Sequence, residues 1–311
     1  MLGSHWSTPG GRQPRFIVGA NLPWIDYGAD FGASRWHPEG GLSIRPSALA
    51  KLEQALATLE RDRVSFIRVF MVCDGRSGVA FDDDGLPTGV DESFFPDADA
   101  LLASARQRGV RVMWTLLDFH LCGPLRMVNG VQLGGRAHLI ATPAGGAALI
   151  DRVIGPILER YRDDPTVAAW DVINEPEWCG LPLDTMREFL RLVVGRVRGT
   201  TSQPVTVGCA RLDGLDLVRG LGLDFYQVHW YRRFGWRALE RPVADLGLDR
   251  PVILGEFPGR GGRGRVADVL DAAERAGYAG AFVWSLLADD RQSGYSADVA
   301  EWIRARTPDR A

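Results

Sequence analysis

The stretch Trp170-Asp171-Val172-Ile173-Asn174-Glu175-Pro176 begins as a buried strand and ends in an amide and a carboxylate side by side, followed by a proline. Pro176 lacks an N–H and disfavours helix in the residue before it, so the stretch predicts an extended Glu175 where regular structure stops. A carboxylate at the mouth of a buried strand is costly unless something uses it. Glu175 is therefore read as a catalytic acid, and a second carboxylate is needed to match it.

Working outward, residues 167–173 form one of eight short apolar runs, the others being 16–21, 64–70, 110–118, 204–209, 224–231, 251–257 and 280–286. Helical patterns fill most of the intervals. Pro46 sits at the first position of a helix whose apolar face is Leu49, Leu52, Leu56 and Leu59. Further helices are expected at 96–108, at 147–162 with a bend at Gly155-Pro156, at 183–198, around 215–221, at 266–276 and at 297–306; Gly109 and Gly277 take the closing role. Strands alternating with helices imply a parallel sheet. Eight such units favour a single closed (β/α)8 barrel, the TIM barrel, over an open doubly wound sheet. No G-x-G-x-x-G follows an early strand, which weakens a dinucleotide-binding reading.

Extended loops follow the first three strands. The acidic run Asp82-Asp83-Asp84-Gly85 in the second of them reads as a surface hairpin turn, with too few oxygen ligands for a calcium loop. Nothing divides the chain after residue 15: residues 1–15 are a flexible polar segment, and 16–311 are one catalytic domain.

With 311 residues, 46% of them apolar, the chain can bury a large core. A net charge of −3 gives no reason to expect nucleic acid or an anionic membrane as a partner, and no apolar run approaches the roughly 20 residues of a membrane span. Lys51 is the only lysine, so Schiff-base chemistry is not expected. The N-terminus has no apolar core of a signal peptide, which fits a cytoplasmic protein as written, or a secreted one from which a leader has been removed. Cys73, Cys122, Cys179 and Cys209 show no metal-type spacing. They read as free thiols, with a disulfide between Cys122 and Cys179 on neighbouring loops as the alternative.

In a barrel of this kind the active site lies where the strands end. The polar residues there are Arg68, His120, Asn174, Glu175, His229, Tyr231 and Glu256, with Trp284 on the last strand. Glu175 and Glu256 end the fourth and seventh strands and can face each other across the mouth. Glycoside cleavage needs this pair: one carboxyl protonates the departing oxygen while the other attacks the anomeric carbon. Their pKa values must differ, and Tyr231 and Arg68 are placed to donate to Glu256 and keep it anionic.

Over essentially its whole length the chain resembles the retaining β-glycosidases of the large (β/α)8-barrel clan, particularly the cellulase-like glycoside hydrolase family 5. The resemblance rests on Arg68, His120, Asn174-Glu175-Pro176, His229 with Tyr231, Gly255-Glu256-Phe257 and Trp284, in that order. It implies Glu175 as general acid/base, Glu256 as nucleophile, and Asn174 on the sugar 2-hydroxyl. It also implies that Tyr231 and Arg68 orient Glu256, that His229 and His120 bond around the acid/base and the sugar, and that Trp284 forms the floor. The two carboxyls are expected about 5–5.5 Å apart, the retaining separation. No cofactor or metal is implied.

Trp24, Trp36, Trp178 and Trp236 are candidates for stacking on sugar rings, since an apolar ring face fits an aromatic plate. The loops after strands two and three would wall in one end of a groove, favouring exo or short-oligosaccharide action. The expected activity is retaining hydrolysis of β-glycosidic bonds in a β-glucan, β-mannan or related saccharide. A transglycosylase with the same residues and a non-catalytic carbohydrate-binding barrel are the alternatives. Nothing in the sequence fixes the oligomeric state.

Overall fold

The computed structural model describes residues 16–231, 239–260, 265–288 and 290–306. The expected 1–15 segment and Trp236 lie outside them.

Eight parallel strands close into a barrel: β1 (Ile17–Asn21), β2 (Phe66–Phe70), β3 (Arg111–Asp118), β4 (Val167–Asn174), β5 (Val205–Cys209), β6 (Tyr226–His229), β7 (Val252–Pro258) and β8 (Gly280–Trp284). Each pairs with its sequence neighbours, and β1 closes on β8 with Ile17 opposite Gly280. The strands read as unbroken apolar runs because both of their faces are covered, one by the helices and one by the barrel interior.

Two layers of core result. Between sheet and helices, residues such as Leu52 and Leu56 of the helix Pro46–Arg61 pack on outward strand residues such as Ile67 and Val69. Inside the barrel, Ile17, Phe66, Met113, Ala169, Phe225, Ile253 and Phe282 fill the end where the strands begin. That plug leaves the other end for chemistry. There Phe70, Tyr231 and Trp284 form a third cluster, joined by Trp24 and Tyr27.

The helices Leu183–Thr200, Val266–Ala276 and Ala297–Arg306 fall where the apolar periodicity puts them. Where a bend is expected, at Gly155-Pro156, a π-helical segment Ile150–Ile154 joins the helices Pro143–Leu149 and Gly155–Tyr161. An added turn residue accommodates the missing Pro156 donor without a break. The acidic run does form a hairpin turn, between strands Val79–Phe81 and Pro87–Val90. The loop after β3 carries a second hairpin, Arg126–Val128 with Val131–Leu133, that has no signature in the apolar pattern. No helix of the described chain is long and apolar enough to cross a membrane.

Glu175 corrects the extended conformation expected of it. Its backbone is left-handed, with φ 48° and ψ 57°. The clash with the Pro176 ring disfavours right-handed helix but leaves this region open. The turn is held from both sides: the Glu175 N–H donates to the Gly208 carbonyl at 2.7 Å, and its own carbonyl accepts from Trp178 at 3.0 Å.

Candidate active site

The site is organised around Arg68, whose side chain is fully buried in the middle of β2. A guanidinium there needs every donor matched. Nε donates to Asp171 Oδ2 at 2.8 Å, Nη1 to Asn21 Oδ1 at 3.2 Å and to Glu256 Oε1 at 2.7 Å, and Nη2 to Asn174 Oδ1 at 2.9 Å. Asp171 is the permanent counter-ion, held as well by Thr115 Oγ1 at 3.0 Å and the Gly208 N–H at 2.9 Å. Space for this arrangement depends on Gly208, where a Cβ would stand 2.6 Å from Gln227 Nε2 and 2.9 Å from Arg68 Nη2.

Glu256 projects from a register shift in β7, whose pairing is irregular on both sides. Such bulges re-aim a side chain beside a site. Besides Arg68, Tyr231 donates its hydroxyl to Glu256 Oε2 at 2.6 Å. Burial pushes the Glu256 carboxyl up from its ordinary range, and the Arg68 guanidinium and the Tyr231 hydroxyl offset only part of that rise.

His229 Nδ1 lies 2.9 Å from Glu175 Oε1. Burial lowers the imidazole to about 4, so the ring is neutral near pH 7. Gln227 Nε2, 3.4 Å from His229 Nε2, can only donate there, which leaves the proton on Nδ1 and makes His229 a donor to Glu175. One ligand atom each from Glu175, His229 and Glu256 lie within 4.8 Å of one another. An oxygen of each carboxyl thus lies within 4.8 Å of the other, which fits the retaining separation of about 5–5.5 Å. The same three atoms would be the natural ligand set for a cation, with which the Arg68 guanidinium at Glu256 competes.

A cavity of about 250 Å³ covers this cluster, lined by Asn174, Glu175, Tyr231, Glu256 and Trp284 together with Trp24, Tyr27 and His120. Trp284 is anchored by its Nε1–H, which donates to Asp290 at 2.9 Å. A second cavity of about 550 Å³ shares Trp24, Tyr27 and His120 and runs over Arg76 and the loop after β3. The loop after β3, expected to wall in that side, therefore lines a continuation of the groove together with Asp74 and Arg76.

All of the strand-end residues expected from sequence converge at this mouth. His120 is exposed at the pocket wall, packed edge-on to Tyr27. Of the aromatic candidates, Trp24 lines both cavities and packs edge-on to Trp284. Trp36 packs in the first loop against the Arg76 guanidinium, and Trp178 is 44% exposed beside Arg211. Tyr27, one of the first-loop aromatics open to sugar stacking, lines the cavity; Phe70, Asp118, Asp290 and Gln292 line it without having been anticipated, and Asn21 and Asp171 hold Arg68 behind it. Asp118 had a signal, a carboxylate ending an apolar strand two residues before His120. The four cysteines are free thiols, with Cys122 and Cys179 in hydrogen-bonding contact.

No family model matches the chain. A mannan endo-1,4-beta-mannosidase of Mytilus edulis is 24% identical over 322 residues, covering 87% of this chain and 83% of that protein. One of Cryptopygus antarcticus is 23% identical over 328 residues, covering 88% and 81%. Among solved structures, the endo-1,4-beta-mannanase of Eisenia fetida superposes with a TM-score of 0.74 at 22% identity, over 94% of this chain and 91% of that one. A closed barrel with this strand-end cluster and these relatives defines a retaining β-glycosidase of the (β/α)8-barrel clan.

Proposed function

We propose that the protein is an endo-acting β-1,4-mannan hydrolase in which Glu175 is the general acid/base and Glu256 the nucleophile. The observation that carries this reading is the placement of the Glu175, His229 and Glu256 ligand atoms within 4.8 Å of one another at the barrel mouth. In the first step the Glu175 proton passes to the departing glycosidic oxygen while a Glu256 oxygen bonds to the anomeric carbon. In the second, Glu175 takes a proton from water, whose oxygen displaces Glu256 and restores the β configuration. His229 donates to Glu175 Oε1 and so orients the carboxyl for that transfer. Arg68 and Tyr231 hold Glu256 for in-line attack, and Trp24, Trp284 and the groove past Arg76 bind the saccharide.

Mannan is favoured over glucan by the activities named for the curated relatives, and endo action by the groove continuing beyond the reaction pocket. The test is a hydrolysis screen over β-mannan, β-glucan and aryl β-glycosides. Glu256→Gln and Glu175→Gln are each expected to lose at least about 10³-fold in kcat. Azide added to Glu256→Ala should give an α-glycosyl azide, and added to Glu175→Ala a β-glycosyl azide. Full activity of Glu256→Gln would overturn the assignment, and release of monosaccharide alone from polymer would overturn endo action.

A further inference from the structure

A third carboxylate of the pocket has no part in the double displacement. Asp118 ends β3 opposite Asn174 of β4 in the parallel register, and it is 2% exposed. Its Oδ1 accepts from Asn174 Nδ2 at 3.1 Å, and its Oδ2 accepts from the Tyr27 hydroxyl at 2.6 Å. Asn174 is thereby gripped at both ends of its amide. Arg68 Nη2 can only donate, so it fixes the side that carries Oδ1; Asp118 Oδ1 accepts on the other side, which fixes the end that carries Nδ2. An amide held by an arginine alone could still rotate about its last bond, and Asp118 removes that freedom.

We propose that Asp118, braced by Tyr27, is a positioning residue that aims the second Nδ2 hydrogen of Asn174 at the 2-hydroxyl of the sugar being cleaved. The inference rests on the glycosidase reading and deepens it. Asn174 lines the pocket beside Glu175, so a hydrogen pointing there meets the ring carbon next to the reacting one. A hydrogen bond at that hydroxyl strengthens as the oxocarbenium charge develops, so a correctly aimed donor acts on kcat more than on KM. Tyr27 comes from the loop after β1, Arg68 from β2 and Asp118 from β3, so the aim of one amide depends on three separate parts of the chain.

The experiment compares two substrates in wild type, Asp118→Ala, Asp118→Asn and Tyr27→Phe. One is an aryl β-mannobioside, and the other is its analogue lacking the 2-hydroxyl on the sugar bonded to the aryl group. Asp118→Ala should lose about 10- to 100-fold in kcat on the first, the worth of a hydrogen bond to a charge-developing centre, and less than about threefold on the second. Asp118→Asn keeps an oxygen that can accept from Asn174 and should recover most of the loss. Tyr27→Phe should fall between. Equal losses on both substrates would show a merely structural role and overturn the proposal while leaving the glycosidase reading intact. Wild type inactive on both would overturn that reading, and this proposal with it.

Discussion

His229 stands in register with Glu256 on the neighbouring strand, yet its Nδ1 is nearer Glu175 Oε1, at 2.9 Å, than Glu256 Oε2, at 3.5 Å. One buried imidazole therefore sits between the two carboxylates and leans toward the one on the more distant strand. A neutral ring can fill that position without adding charge.

The same ring should leave a mark on stability. Burial holds His229 at about 4 in the folded protein, below the roughly 6.5 of an unfolded histidine. As pH falls through that window the unfolded chain takes up the proton first, so this contribution is complete above about 6.5 and is lost toward about 4. Denaturant unfolding at several pH values, compared with His229→Gln, should show the wild type losing up to about 3 kcal/mol more across the window. Parallel curves would refute it.

Tyr231→Phe removes a donor to Glu256 without opening space. Because that donation lowers the Glu256 pKa, the acidic limb of the kcat/KM profile should move to higher pH, and kcat should fall about 10- to 100-fold. An unmoved limb would mean that Glu256 does not set it.

Glu177, two residues beyond Glu175, is pushed up to about 7, first by burial. Its Oε1 accepts from the Ala210 N–H at 2.9 Å, while Oε2 is buried without a partner. A raised folded pKa means that the folded protein holds the proton longer, so stability falls as pH rises from about 4.3, the unfolded value, to about 7. Glu177→Gln keeps the acceptor and loses the titration. It should gain on the wild type by up to about 3–4 kcal/mol across that window and run parallel above it, as thermal unfolding against pH would report.

Arg68→Met should destabilise the fold by about 3–5 kcal/mol, since it strands Asp171 and Glu256 in the interior. Asp171→Asn in the same background should return part of the loss. A loss under about 1 kcal/mol in the single variant would show that water reaches the pair.

The barrel was legible because strands covered on both faces read as apolar runs of characteristic length, and the polar residues that break the pattern collect at one end. Glu175, Glu256 and Arg68 stand out for that reason. Asn21 and Asp171 do not: Asn21 ends the short first strand with no charge to mark it, Asp171 sits inside a strand pattern, and each takes its role from Arg68, 47 or 103 residues away. Tyr27, Asp290 and Gln292 come from loops without periodicity, whose paths are set by contacts such as Tyr27 with Asp118 rather than by local propensity. The turn at Glu175 escaped for a related reason. Proline restricts its predecessor to more than one region, and the Gly208 carbonyl on the next strand selects among them.

The left-handed backbone at Glu175 also bears on how such a chain can change over generations. A side chain with a Cβ costs about 1–2 kcal/mol in that conformation, and glycine or asparagine would sit there more comfortably. Released from selection for activity, this position has a downhill path away from glutamate, toward a more stable and inert barrel. The strain is a standing load on the fold, and the chemistry proposed for Glu175 is what would justify it.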